Sequence, residues 1–165
     1  MKSARRHESL IPLSREHQYA LLLCLRIHRG LESHQNDPVW LQSKAENVVR
    51  FFAGDLRPHF QAEEEALFPA MQHCADAKEM LRDLLTEHRE MERQVATLRQ
   101  CETGGLAERL KAFADLLEAH VRREERELFP LFEQQVIPNA AQRVGAEITQ
   151  LIGRAEKPRN PELLR

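Results

Sequence analysis

The chain lacks several features that assign a sequence to a familiar class of protein. Aromatic residues make up only 5% of its 165 residues, with one Trp and one Tyr, so no aromatic binding platform is expected. Its three cysteines, Cys24, Cys74 and Cys101, are odd in number and widely spaced, which argues against a disulfide scaffold and a CxxC zinc or redox site. The net charge of −2 provides no basic stripe for nucleic acid.

Long hydrophobic runs are missing as well. The longest, Tyr19 to Leu25, is far too short to span a bilayer, and it follows Arg15, Glu16 and His17, which makes it a poor signal peptide. We therefore expect a cytoplasmic protein with neither a membrane nor a nucleic acid as partner. Composition leaves eight histidines unexplained.

The apolar residues recur with a helical rather than an alternating period. Ser14 predicts the N-cap of a first helix ending near Leu31, and Asp37-Pro38 predicts the start of a second, with a kink at Gly54 and Pro58. Further helices are predicted over 76–100, from the loop 103–105 to 136, and over 140–153. The predicted fold is all-α, an up-down four-helix bundle over 13–136, with an N-terminal extension (1–12) and a C-terminal helix and tail (137–165).

An internal repeat relates the second predicted helix to the fourth. Residues 59–69 read HFQAEEEALFP, and residues 120–130 read HVRREERELFP. Both copies begin with His, carry Glu four and five positions later, and end in Leu-Phe-Pro. A weaker echo is the pair Glu-His, which occurs at 16–17 and at 87–88.

The spacing within the repeat places an imidazole beside a carboxylate. Residues four apart lie on one face of a helix, so His59 pairs with Glu63 and His120 pairs with Glu124. An apolar residue three before each histidine puts these pairs on the buried face. His88 and His17 lie on the apolar stripes of their own helices in the same way.

Four inward histidines and two inward glutamates need a partner, because burying such groups alone would cost several kcal/mol per charge. A metal removes that penalty, since imidazoles and carboxylates are common metal ligands. The set is too large for one tetrahedral zinc and suits two metals bridged by the two carboxylates. The Glu-x-x-His motif of ferritin-like sites is absent.

At this point the chain resembles the hemerythrin-like (HHE cation-binding) domain, over roughly residues 10–136. The resemblance rests on the duplicated His-x3-Glu with its Leu-Phe-Pro, together with one histidine on each of the other two helices. It implies a bundle that holds two non-haem irons, oxo- or hydroxo-bridged. By motif position it implies that His17 and His59 bind one iron, that His88 and His120 bind the other, and that Glu63 and Glu124 bridge them.

The chain departs from the oxygen-carrying hemerythrins at Glu92, where those proteins have a fifth histidine. A carboxylate there could ligate the metal, hold a water or face solvent. An open position favours reaction with dioxygen, peroxide or nitric oxide, or the release of metal. Glu64 and Glu125, which also recur, are expected either to be solvated or to orient a ligand imidazole.

Three functions stay open at this point. The chain could bind or sense dioxygen, nitric oxide or iron. It could be an enzyme acting on peroxide or nitric oxide, similar to the iron–sulfur repair di-iron proteins, whose cysteine-bearing N-terminal domain is missing here. It could also be a helical interaction protein that binds no metal.

Overall fold

The computed structural model describes residues 6–100 and 104–153, which form helices and no strand. The five long helices are α1 (Ile11–His34), α2 (38–71), α3 (Lys78–Gln100), α4 (106–135) and α5 (Pro138–Gly153). The all-α prediction is confirmed. Cys101, Thr103 and the predicted tail from Glu156 lie outside the described residues. Among those described, no helix is long and apolar enough to cross a membrane.

The starts of α1 and α2 test the two predicted N-caps. Asp37 is confirmed, because its Oδ1 accepts hydrogen bonds from the backbone N–H groups of Val39 and Trp40 at 3.0 and 3.1 Å. The prediction that Ser14 is the N-cap of α1 is wrong. Helix α1 begins at Ile11, inside the predicted N-terminal extension, and has a proline in its first turn. The Ser14 hydroxyl instead donates to Glu125 Oε1 at 2.7 Å.

Helices α2 and α4 are continuous rods that contain wide π turns. In α2 the α-helical segments Pro38–Phe51, Arg57–Ala62 and Phe68–Met71 are joined by π turns at Phe52–Leu56 and Glu63–Leu67. In α4 the π turn Glu124–Leu128 joins Leu106–Arg123 to Phe129–Gln135. The second helix therefore continues through Gly54 and Pro58, as predicted. The π turn Phe52–Leu56 accommodates the loss of the regular hydrogen-bond pattern at Pro58.

Each π turn is closed by the residue just before a proline. Phe68 N–H donates to the Glu63 carbonyl and Phe129 N–H to the Glu124 carbonyl, five residues back. A proline has no N–H and its ring crowds the carbonyl four residues before it, and the wider turn accommodates both effects. Both helices therefore continue past the proline of Leu-Phe-Pro, and the fourth reaches Gln135, close to its predicted end at 136.

The apolar core is divided into two clusters along the bundle. One surrounds Leu23, Phe52 and Phe113, and the other surrounds Leu67 and Phe129 and includes the inner face of α5. Each of the helices α1 to α4 contributes residues to both clusters. The predicted site residues of each helix lie where it leaves one cluster and enters the other. The fold therefore places those residues in the middle of the bundle, with apolar packing on both sides.

Helix α5 packs closely on the 3-10 turn Glu8–Leu10, and this contact requires glycine at position 145. Ser9 Oγ donates to the Ala141 carbonyl at 2.7 Å, and a Cβ on Gly145 would lie 2.7–2.8 Å from Ser9 atoms. We expect Gly145→Ala to lower the free energy of unfolding by about 1–3 kcal/mol, measured by urea denaturation. The control is Gly54→Ala, whose Cβ would meet nothing within 4 Å. Equal stability of the two variants would contradict the close contact.

Candidate metal centre

The structure brings all six predicted site residues together in the middle of the bundle. They come from four helices, and none is more than 2% exposed. The six are His17 on α1, His59 and Glu63 on α2, His88 on α3, and His120 and Glu124 on α4.

These residues form two groups that share both glutamates. In one group the Nε2 atoms of His17 and His59 are 3.0 Å apart, and in the other those of His88 and His120 are 3.1 Å apart. Within each group the ligand atoms, including those of Glu63 and Glu124, all lie within 4.8 Å of one another. This grouping of the histidines is the one that the resemblance implies.

The two glutamates lie between the histidine pairs. Glu63 Oε1 is 3.0 Å from His59 Nε2, while its Oε2 is 3.3 Å from His88 Nε2 in the other pair. Glu124 Oε2 is 3.2 Å from His17 Nε2 and 3.5 Å from His120 Nε2. Each carboxylate therefore faces both pairs, and each begins one of the π turns.

The carboxylate oxygens provide a test of whether a metal fits this site. All four oxygens of Glu63 and Glu124 are buried and accept no hydrogen bond in the described structure. Buried charges without hydrogen bonds are strongly unfavourable unless they are paired or coordinate a metal. The donor set of imidazole nitrogens and carboxylate oxygens is one that binds transition metals well. The residues present therefore fit a metal centre.

Four further glutamates contact the outward-facing Nδ1 atoms of the four candidate ligand histidines. Each glutamate belongs to the helix before that of its histidine, so the contacts form a closed ring from α1 through α4 back to α1. Such contacts select the imidazole tautomer and direct Nε2 towards the site. The pairs are Glu16 with His59 (2.9 Å), Glu64 with His88 (2.8 Å), Glu87 with His120 (2.6 Å) and Glu125 with His17 (2.8 Å).

This ring shows where the recurring glutamates lie. Glu64 contacts the His88 imidazole and Glu125 contacts the His17 imidazole, which agrees with one of the two roles expected for them. Glu16 and Glu87 were not predicted to act at the site, although the repeated Glu-His pair signals them. A residue just before an inward histidine is rotated by about 100° around the helix and can therefore meet a neighbouring helix.

The electrostatics show how the site balances its charge without a metal. Burial alone lowers the pKa of a histidine, but nearby carboxylates outweigh it and raise the pKa of His59 and His88 from 6.5 to about 9. Burial also opposes ionisation of Glu63, yet the histidines around it hold its pKa well below the ordinary value. The protonated imidazoles of His59 and His88 therefore offset the charge of Glu63, and a metal bound there must displace their protons.

Aromatic rings cover one imidazole of the site. Phe60 and Phe68 stack on His88 with ring centroids 3.8 and 5.7 Å away, which covers that imidazole.

Glu92 is 39% exposed and pairs with Arg89 at 3.0 Å. Of the three alternatives for Glu92, the structure shows the one that faces solvent.

A small cavity reaches the site from the gap between α1 and α2. It encloses about 10 Å³, room for roughly one water-sized molecule. Its half-buried rim contains Glu16, Tyr19 and Asp55, and its inner lining is apolar except for imidazoles. The imidazoles that it touches are those of His17, His59 and His120.

Comparison with known proteins agrees with this geometry. The family model of the hemerythrin HHE cation-binding domain matches residues 12–132, most of the chain. The chain belongs to this family. Neither the curated proteins nor the solved structures gave a significant match. The resemblance drawn from the repeat is thus confirmed, and the bundle contains two histidine and glutamate clusters that could hold a metal cation.

The glutamate ring leads to a testable expectation for Glu87. We expect Glu87→Ala to weaken metal binding about 10- to 100-fold, because His120 loses the contact that orients it. Equilibrium dialysis against Fe²⁺ under argon measures the affinity. The control is Glu90→Ala on the same helix, whose partners Arg93 and Gln94 are remote from the ligands. Unchanged affinity in Glu87→Ala would show that the ring has no such role.

The raised histidine pKa values give the metal-free protein a definite pH dependence. Because the pKa of His59 and His88 is about 9 in the folded chain and about 6.5 in the unfolded chain, protonation stabilises the fold. That contribution is complete below about pH 6.5 and disappears as the pH rises through 9. We expect the Tm of metal-free protein to fall over this interval. A flat profile would contradict the charge balance, and His34→Gln, an exposed histidine variant, should keep the wild-type profile.

Proposed function

We propose that this hemerythrin-like chain is a non-haem di-iron protein that binds or senses a small ligand, dioxygen or nitric oxide, or iron itself. The observation that carries the proposal is the pair of shared carboxylates, Glu63 and Glu124, buried between two histidine pairs with no hydrogen-bond donor of their own. Iron suits this mixed set of nitrogen and oxygen ligands and is the metal that the family resemblance implies.

The assignment of ligands follows the two groups in the structure. His17 and His59 would hold one iron, His88 and His120 the other, and Glu63 and Glu124 would contact both. When bound, the two irons would supply redox chemistry and a place for a small ligand to bind.

The surrounding residues prepare the site for a small ligand. The glutamate ring keeps each Nδ1 proton on the outer side of its imidazole, so that Nε2 is free to bind metal. The phenylalanines beside His88 and His17 exclude water from those faces. The cavity at His17, His59 and His120 leaves room beside them for one small molecule.

Metal analysis and an optical spectrum of protein from iron-supplied cells test the di-iron proposal. We expect about two irons per chain and near-ultraviolet absorption from the ferric pair. Protein that is free of metal and fully stable would instead indicate a helical interaction protein.

Substitutions at two glutamates, two positions apart, test whether the central carboxylate of Glu63 is needed to hold iron. We expect Glu63→Gln to lose most of the bound iron, because an amide cannot supply the negative charge that two cations share. Glu65→Gln should retain it, since Glu65 is exposed and accepts a hydrogen bond from Gln61 at 2.8 Å. Iron content of the purified variants measures the difference. Equal iron in both would refute the role of Glu63.

Stopped-flow spectra of the reduced protein separate binding from catalysis. A nitric oxide or dioxygen complex that reverses on removing the gas would support binding or sensing. Consumption of peroxide or nitric oxide over many cycles would instead assign the alternative function, that of a di-iron enzyme.

A further inference from the structure

The segment before α1 is attached to the helix that carries Glu124. Arg6 Nη1 donates to Glu133 Oε1 at 3.0 Å, and the His7 backbone N–H donates to the same oxygen at 2.8 Å. Arg6 Nη2 donates to Glu125 Oε2 at 2.7 Å and to the Glu125 backbone carbonyl at 3.1 Å. One side chain thus connects three acceptors on one face of α4.

The contact with the Glu125 carbonyl fills a gap that the π turn creates. Phe129 N–H bonds to the Glu124 carbonyl, and the next residue, Pro130, has no N–H to offer. The Glu125 carbonyl is therefore left without its helical donor. Arg6 supplies that donor and so completes the π turn at the point where Glu124 enters the site.

Arg6 also acts on His17 by two separate contacts. Glu125, which accepts from Arg6, holds His17 Nδ1 at 2.8 Å. The Arg6 guanidinium also lies 5.0 Å from the centre of the Phe129 ring, and that ring stacks on the His17 imidazole at 5.3 Å. A polar contact and an aromatic contact therefore both lead from Arg6 to the same ligand.

The other half of the centre has no equivalent in the described residues. Glu64 is the counterpart of Glu125. Arg89 contacts the side-chain carboxylate of Glu64 and not its backbone, and Arg89 is 49% exposed. No arginine there bonds to the Glu64 backbone carbonyl. The support given by Arg6, whose side chain is 23% exposed, is specific to the His17 half.

We propose that Arg6 is a positioning residue for the His17 half of the metal centre, and that seating of residues 6–10 and metal binding at that half strengthen each other. The inference rests on the proposed function, because it requires the six central residues to hold metal. The reciprocity follows from linkage: whatever raises the affinity for metal is itself held more tightly when metal is bound.

An anaerobic titration with Fe²⁺, monitored by calorimetry, tests the effect of Arg6 on the affinity for metal. We expect Arg6→Ala to weaken one of the two binding steps about 10-fold or more and to leave the other near its wild-type value. Arg6→Lys should be intermediate, because an ammonium keeps the charge but cannot reach both Glu125 acceptors and Glu133 together. The control Arg93→Ala removes an exposed ion pair with Glu90 and should bind as wild type. Wild-type affinity at both steps in Arg6→Ala would overturn the proposal.

Hydrogen exchange with and without Fe²⁺ measures the reciprocal effect. The reporters are the backbone N–H groups of Ser9 and Leu10, which bond to His7 atoms in the seated segment. Loading should slow their exchange in the wild type and have little effect in Arg6→Ala. Exchange that is independent of metal in the wild type would refute the coupling.

A second variant separates positioning from loss of the fold. Glu133→Gln weakens the outer anchor of Arg6 without touching Glu125, and we expect a smaller loss at the same binding step. No change at that step would count against the proposal, even if Arg6→Ala failed to fold. A wild-type chain that binds no metal would refute the proposed function, whereas two tight irons in both wild type and Arg6→Ala would refute only the role of Arg6.

Discussion

The burial of two carboxylates between four imidazoles is the constraint on which the rest of this structure depends. Glu63 and Glu124 are fully buried with oxygens that accept no hydrogen bond, so each needs positive charge from its surroundings. Protons on the histidines can supply that charge in the metal-free chain, and metal ions can replace them. The apolar clusters on both sides strengthen this demand, because water cannot reach the oxygens to solvate them.

The same demand explains the second layer of the site. An imidazole that must present Nε2 to the centre needs its Nδ1 proton held from behind, and a glutamate of the preceding helix does this in all four cases. The ring therefore joins the four helices through the ligands as well as through apolar packing. Its glutamates lie nearer the surface, where Arg6, Arg89 and Arg123 balance their charge.

Much of the fold and centre could be predicted because it depends on local spacing. His59 with Glu63, and His120 with Glu124, share a face whatever else the chain does, since four residues nearly complete a helical turn. Prediction was less successful where two local rules compete. Proline usually disrupts a helix, yet a π turn that the sequence did not predict lets both helices continue past Leu-Phe-Pro. Ser14 was expected to cap α1, but Pro12 starts the helix earlier.

The sequence by itself determined the helical class, the ligand types and their distribution over four helices, because these follow from period and residue chemistry. Only the tertiary structure decided which glutamate meets which imidazole, that Glu92 faces solvent, and that Arg6 reaches the Glu125 carbonyl. The period of a helix defines the face on which a residue lies but not the neighbour that packs there. That choice depends on contacts between residues far apart in the chain, as the separation of Arg6 from Glu125 illustrates.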